Sequence, residues 1–283
     1  MKTISPRDVS TAEFHSYLLS AVAPRPIAFA STTDRDGNVN LSPFSFFNVF
    51  GSNPPTLVFS PNKRVRDGSG KDTLHNVREV DEVVINMVDY SMVEQVSLAS
   101  CEYPPGVNEF IKAGFTEASS VLVKPPRVVE AKVAFECRIR QVVSMGDQGG
   151  AANLVICEVL MAHVSEELLG EDGRIDPTKT DWVARMGGDW YCRASGASVF
   201  EVEKPNTRLG VGVDAIPGFI RKNPLFTGND LGKLGNIDRL PDAEEVEKFR
   251  QDHPLTDRLA LIKDLVAGKD IRAAWCAILA HAE

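Results

Sequence analysis

Hydrophobic and polar residues alternate most regularly near the middle of the chain, over residues 132–142. The apolar positions there are Val133, Phe135, Cys137 and Ile139, and the polar ones are Lys132, Glu136, Arg138 and Arg140. This period of two predicts an antiparallel strand with one face in the core. A turn at 146–150 and a long apolar run at 154–164 follow, so the two strands are expected to form a hairpin. Together with shorter strands before them, they indicate a closed or partly closed β-barrel.

Four shorter apolar runs precede this hairpin and predict strands at 27–30, from 39 onward, at 57–59 and at 83–88. The first two runs are joined by Asp36-Gly37, a dipeptide that favours the positive φ of a hairpin turn. Pro54 and Pro55 are expected to end the second run, because proline cannot donate to a strand ladder. The pattern therefore predicts a mainly β fold.

Short helices are predicted beside these strands. Ser10 followed by Glu13 has the spacing of a capping box and predicts a helix near the N-terminus. Asp72 or Thr73 is a candidate N-cap for a second helix. Further helices are expected at 92–99, at 108–113 before Gly114, and over 180–186.

The pattern changes after residue 195, where strand-like runs become rare. The segments 242–249 and 255–279 have the spacing of helices, and in the second of them Leu259, Ile262, Leu265 and Val266 fall on one helical face. We therefore expect two domains: a mainly β domain with short flanking helices over 1–195, and a mostly helical C-terminal extension over 196–283.

Composition and charge narrow the class of protein. The 283 residues are 43% hydrophobic and 25% charged, which is ordinary for a soluble globular protein. The net charge of −8 argues against binding to nucleic acid or to an anionic membrane surface. The five cysteines and five histidines have neither disulfide-framework nor metal-site spacing, so no metal is expected. The N-terminus lacks a signal-peptide pattern and no apolar run is long enough for a membrane span, so we expect a cytoplasmic protein.

Candidate chemistry is concentrated between residues 23 and 73. A segment of hydroxyl and aromatic side chains at 41–48 follows the first predicted hairpin, and a polar loop containing Ser69, Lys71 and Thr73 follows the third strand. Hydroxyls, backbone N–H groups and a cation are the groups that bind phosphate, whereas an apolar slot suits a planar ring. This combination indicates a site for a planar phosphorylated cofactor.

Several separated motifs in this stretch and beyond it occur in the order found in a known family. They are Arg-Pro-Ile-Ala at 25–28, Asn-Leu-Ser-Pro-Phe-Ser-Phe-Phe-Asn at 40–48, Lys-Asp-Thr at 71–73, Tyr-Pro-Pro-Gly-Val at 103–107 and Gly-Gly-Asp-Trp-Tyr at 187–191. Over roughly residues 20–193, the chain resembles the flavin reductase-like family of FMN-binding split barrels, in its flavoredoxin-like branch. The resemblance implies an FMN-binding split β-barrel and a homodimer with FMN near the interface.

The function implied by the resemblance is that of an FMN-binding oxidoreductase. Such a protein would accept hydride from NADH or NADPH and pass electrons to free flavin or another acceptor. One alternative is a flavoredoxin-like electron carrier reduced by a protein partner, and another is a flavin-binding protein without enzymatic activity. Because the flavin itself transfers hydride, no general base is required and no catalytic residue is assigned.

The candidate cofactor-binding residues combine this resemblance with the local chemistry. They are Arg25, Thr32, Thr33, Ser42, Phe44, Ser45, Asn48, Ser69, Lys71, Asp72 and Thr73. Ser69, Lys71 and Thr73, with Ser42 or Ser45, are assigned to the phosphate, and the segment 42–48 is assigned to the ring.

Each assignment has a structural alternative. The loop before residue 73 could be an ordinary surface loop that caps a helix, and the aromatic residues of 44–47 could be barrel core. Thr32 and Thr33 could face solvent, and Arg25 could form a surface ion pair of little consequence. His163, in an apolar strand, is expected to be a hydrogen-bonded core histidine, and Trp190 and Tyr191 are assigned a structural role.

Overall fold

The computed structural model describes residues 1–205, 208–253 and 258–282. The chain separates into two compact units, Met1–Phe200 and Glu201–Glu283. Within the described ranges no helix has both the length and the apolar character needed to cross a membrane. The expected domain boundary at residue 195 stays a prediction.

The first unit contains eleven strands and four α-helices among its described residues. The strands are β1 (Ala28–Thr33), β2 (Val39–Phe44), β3 (Phe47–Ser52), β4 (Pro55–Phe59), β5 (Glu82–Met87), β6 (Glu117–Ala118), β7 (Arg127–Val128), β8 (Val133–Ser144), β9 (Asn153–Val164), β10 (Trp182–Arg185) and β11 (Tyr191–Ala194). The helices are α1 (Thr11–Ala21), α2 (Asp72–Glu79), α3 (Val93–Leu98) and α4 (Glu109–Ala113).

Seven strands form one antiparallel sheet in the order β2-β1-β5-β8-β9-β4-β3. The remaining strands pair as β6-β7 and β10-β11. The sheet curls around a core to which six of its strands and α2 contribute. In this core Phe44 of β2 packs on Phe59 of β4, with their ring centroids 5.5 Å apart. The edge strands β2 and β3 are not paired with each other within the described residues, so the predicted barrel is present as a curled sheet that does not close.

A second hydrophobic cluster lies on the other face of β1 and β2. It joins Phe29 and Leu41 to Val96 of α3 and Phe110 of α4. Because both faces of β1 are covered, all six of its residues are buried. This explains the nearly continuous apolar character of the run that begins at Ile27.

Three local predictions are confirmed by hydrogen bonds. The Ser10 hydroxyl accepts from the Glu13 N–H at 3.1 Å and caps α1. Asn108 caps α4, which ends at Gly114 in the left-handed conformation with φ of 72°. Pro54 and Pro55 follow the end of β3, as expected, although Pro55 also pairs with Ser52 at the start of β4.

Three other local predictions are wrong. The run from Val39 is two strands, because the chain bends at residues 45–46 between β2 and β3. Residues 182–185 form β10 rather than a helix, since the Gly187-Gly188 turn brings β11 back as a partner strand. The N-cap of α2 is Lys71, and Asp72 and Thr73 lie in its first turn.

The alternation in β8 predicts the strand correctly but not the environment of Glu136. A register shift between Glu136 and Cys137 places both of these neighbouring residues in buried positions. The Glu136 carboxylate accepts hydrogen bonds from the N–H groups of Val121 and Leu122 and contacts His163 Nε2 at 2.7 Å. His163 is thus a hydrogen-bonded, partly buried histidine, as predicted.

The second unit is helical, which confirms the predicted C-terminal helices. Its helices are α5 (Gly218–Arg221), α6 (Gly228–Gly235), α7 (Ala243–Asp252), α8 (Arg258–Ala267) and α9 (Ile271–Ala282). They enclose a core of their own around Trp275, whose indole N–H donates to the Leu234 carbonyl at 2.8 Å. The first residues of the predicted helical segment 255–279 lie outside the described residues.

Candidate functional site

The strongest candidate site lies where the N-terminus of α2 meets β2. Lys71, Asp72 and Thr73 line a cavity of about 30 Å³ together with Ser42 of β2 and Arg64 of the preceding loop. The two elements are joined by a buried hydrogen bond from the Thr73 hydroxyl to the Asn40 side-chain oxygen at 2.7 Å. We refer to this feature as the cationic cavity.

The lining of the cavity contains two cations, Lys71 and Arg64, and three acidic residues, Asp72, Glu102 and Glu109. Burial lowers the pKa of the Lys71 ammonium and the neighbouring Arg64 guanidinium acts in the same direction, whereas the charges of Glu102 and Glu109 oppose this shift. The Lys71 Nζ lies 5.1 Å from the centre of the Phe44 ring. In the part of the chain that the structure describes, Lys71 forms no ion pair with a carboxylate. A ligand anion in the cavity would therefore be attracted by a charge that no side chain neutralises by direct contact.

The loop before α2 holds Arg64 in place. The Nη1 of Arg64 donates to the Ser69 hydroxyl at 2.9 Å and to the Gly70 carbonyl at 3.0 Å. The Nε of Arg64 donates to the Glu102 carboxylate at 2.9 Å. Arg66 donates to the other Glu102 oxygen at 3.2 Å. The loop is thus built around guanidinium groups, one of which lines the cavity.

A buried polar network supports the opposite wall. Glu109 of α4 accepts from the Asn40 side-chain amide and from the Leu41 N–H, both at 2.9 Å. Burial raises the pKa of Glu109, and the hydrogen bond from Leu41 opposes that shift. Because Asn40 also accepts from Thr73, this network fixes β2, α2 and α4 relative to one another just before Ser42.

A second, larger cavity of about 340 Å³ adjoins the first and shares Ser100 with it. Its lining combines the apolar side chains of Ile27, Pro43, Val96 and Tyr191 with polar and charged ones, which are Ser45, Ser97, Arg185 and Asp189. We refer to it as the wide cavity. Apolar side chains can cover the faces of a planar organic ring, and the polar groups beside them can contact its edge.

The structure brings five of the predicted residues to these two cavities. Ser42, Lys71, Asp72 and Thr73 line the cationic cavity and Ser45 lines the wide one. Phe44 lies between the barrel core and Lys71, so its core role and its place beside the site are compatible.

The other predicted residues do not line these two cavities, and their contact with a cofactor stays a prediction. Thr32 accepts a hydrogen bond from Asn76 at 3.0 Å and Thr33 is buried, so the alternative that they face solvent is wrong. Asn48 is exposed on β3 and accepts from the Val49 N–H. The Ser69 hydroxyl donates to Asp67 at 2.5 Å.

Arg25 is buried, which excludes the surface ion pair considered above. Its guanidinium donates to the carbonyls of Leu19 and Val22 at the end of α1 and to the Met186 carbonyl. Arg25, which lies between two prolines, thus donates hydrogen bonds to carbonyl groups that have no partner within the helix. Contact between Arg25 and a flavin stays a prediction.

Four residues of the site were not predicted from the sequence. Arg64 could have been found, because Lys63, Arg64 and Arg66 form a cationic cluster just before Ser69. Glu102, Asn40 and Glu109 have no comparable signal. Glu109 in particular is separated by 68 residues from Leu41, to which it is bonded.

Comparison with known sequences identifies the family. The sequence model of the flavin reductase like domain matches residues 20–179, which is more than half of the chain. The chain belongs to the flavin reductase-like family. An uncharacterized protein of Aquifex aeolicus is 39% identical over 188 residues, which cover 66% of this chain and 93% of the relative.

Solved structures agree with this assignment. Nitrilotriacetate monooxygenase component B from Bacillus cereus is 29% identical and has a TM-score of 0.66, with 71% of this chain and 98% of that chain covered. A protein with a split barrel domain from Shewanella frigidimarina is 24% identical with a TM-score of 0.60, covering 72% of this chain and 100% of the other. The predicted family is confirmed, and the flavin reductase-like fold is that of the split-barrel proteins.

Proposed function

We propose that this flavin reductase-like protein is an FMN-binding oxidoreductase that accepts hydride from NADH or NADPH and passes electrons to free flavin or another acceptor. The observation that carries the proposal is the pairing of the two cavities. A small cavity that contains Lys71 and Arg64 opens beside a wider one that combines apolar side chains with polar groups, and Ser100 belongs to both. This is the arrangement required by a molecule with a phosphate at one end and a planar ring at the other.

The residues of the cationic cavity fit a flavin phosphate. Lys71 and Arg64 would neutralise its charge, and Ser42 would offer a hydroxyl. The free N–H groups of the first turn of α2 favour an anion at the same place. The Thr73 hydroxyl already donates its hydrogen to Asn40, so the role of Thr73 is to fix the start of α2 against β2.

The wide cavity fits the flavin ring. Ile27, Pro43 and Tyr191 would exclude water from the ring, and Ser45 would offer a polar contact to its edge. When bound, the flavin supplies hydride acceptance and stepwise electron transfer, so the protein's part is to bind and orient it.

The first test is an absorbance spectrum of the purified protein. We expect a flavin band near about 450 nm from bound FMN, and rapid bleaching of that band when NADH or NADPH is added without oxygen. The nicotinamide that bleaches it faster is the physiological reductant. Slow bleaching by both would favour the carrier reduced by a protein partner, and a protein that binds no added FMN would contradict both functions.

We also propose the homodimer that the resemblance implies. The edge strand β3 leaves Val49 and Phe50 exposed at 65% and 70%. Apolar side chains on an unpaired edge are unusual on an isolated soluble protein, since such edges attract other chains. Light scattering is expected to give twice the chain mass, and Phe50→Lys should shift the mass toward that of one chain. A single-chain mass for the unaltered protein would contradict this proposal.

A further inference from the structure

Glu102 stands out because one exposed carboxylate engages Arg64, which lines the candidate phosphate site, and Arg66 of the same loop. Its Oε1 accepts from Arg64 Nε at 2.9 Å and its Oε2 accepts from Arg66 Nη2 at 3.2 Å. The hydrogen bond from Arg64 and the charges of the two guanidiniums lower the pKa of Glu102, so it is an anion at neutral pH. A ligand phosphate and Glu102 would therefore compete for the same donors.

The size of the cationic cavity makes this competition steric as well as electrostatic. About 30 Å³ is space for only one or two waters, whereas a phosphate carries four oxygen atoms. An anion of that size would therefore either extend out of the cavity or displace a side chain of its wall.

Glu102 is a side chain of the wall that can move into solvent. Thr73 and Glu109 are buried and hydrogen-bonded to Asn40. Arg64 is held by Ser69 and Gly70 as well as by Glu102. The Glu102 side chain is 52% exposed and follows the end of α3, so it can swing into solvent without breaking a buried contact.

We propose that Glu102 is an internal competitor of the flavin phosphate, which lowers the affinity of the site by occupying Arg64 until the phosphate displaces it. The proposal rests on the function proposed above.

The test compares FMN with riboflavin, which has the same ring but no phosphate. Glu102→Gln keeps the shape of the side chain and removes its charge. We expect the Kd for FMN, measured by quenching of flavin fluorescence, to fall about three- to fivefold, the size of effect that partly exposed ion pairs permit. The Kd for riboflavin should not change. Glu171→Gln removes one exposed charge from elsewhere in the first unit and is the matched control.

Each outcome has a separate meaning. An unchanged FMN Kd in Glu102→Gln would overturn the competitor role while leaving the FMN site intact. Equal tightening of FMN and riboflavin would also overturn it, since the effect would then not act through the phosphate. If the unaltered protein binds neither flavin, the proposed function itself fails and the competitor role fails with it.

Discussion

Replacing Lys71 by methionine is expected to weaken FMN binding about 10- to 100-fold, which corresponds to about 1.5–3 kcal/mol for hydrogen bonds to a charged group. The side chain is partly buried, lies beside Ser42 and Thr73, and has no carboxylate in contact among the described residues. Methionine keeps its length and apolar stem. Because the Lys71 side chain makes no capping hydrogen bond to α2, the helix should form normally in the variant.

The measurement is again the Kd for FMN and for riboflavin. Lys71→Met should weaken FMN and leave riboflavin nearly unchanged, whereas Lys124→Met, which removes an exposed ammonium elsewhere, should alter neither. Unchanged FMN binding by Lys71→Met would remove this lysine from the site. An equal loss of affinity for FMN and riboflavin would indicate that Lys71 contacts the ring instead of the phosphate.

Lys71 also illustrates what could be predicted from sequence. Local patterns identified the strands β8 and β9, the caps of α1 and α4 and the loop that carries the cations, since each depends on neighbouring residues. The Lys-Asp-Thr motif put Lys71 at the start of a helix, and the structure confirms that helix with a cap one residue earlier.

The supporting contacts could not be predicted, because they join distant parts of the chain. Arg25 donates to Met186 across 161 residues, so it joins the end of α1 to the segment after β10, a role that no local pattern indicates. Asn40 looked like part of a motif, but its partners Thr73 and Glu109 come from two different helices. Only the curled sheet and its covering helices bring these side chains together.

The alternation of apolar and polar residues in β8 predicts a solvent-facing Glu136, whereas the structure buries it. The second large prediction concerns the effect of this residue on stability. Glu136→Ala should lower the free energy of unfolding of the first unit by about 2–4 kcal/mol, because it leaves two backbone N–H groups and a histidine without their acceptor. The carboxylate is fully buried and holds the loop containing Val121 and Leu122 against β8. By contrast, Glu158→Ala breaks a partly exposed pair with Arg140 and should cost at most about 1 kcal/mol.

The stabilisation by Glu136 is expected to depend on pH, and the pKa of its carboxyl group gives the direction of this dependence. Burial alone would raise the pKa of Glu136, but the hydrogen bonds from Val121, Leu122 and His163 outweigh it, so the pKa lies below the ordinary value of 4.5. A carboxylate with a depressed pKa in the folded state stabilises the fold fully above the unfolded value, and this contribution is lost as pH falls through the folded one. The difference in stability between the unaltered protein and Glu136→Gln should therefore be largest at neutral pH and shrink below pH 4.5.

Denaturant unfolding at several pH values measures these differences, and hydrogen exchange locates them. In Glu136→Ala the amides of Val121 and Leu122 should exchange faster, because both lose the acceptor that protects them. Amides of the second unit, such as that of Val246, should keep their exchange rates and serve as the internal control. If Glu136→Ala and Glu158→Ala lower the free energy of unfolding equally, the buried carboxylate stabilises the fold no more than a partly exposed one, and the prediction is wrong. If the stability difference between the unaltered protein and Glu136→Gln instead grows as pH falls, the buried Glu136 side chain is protonated in the folded state.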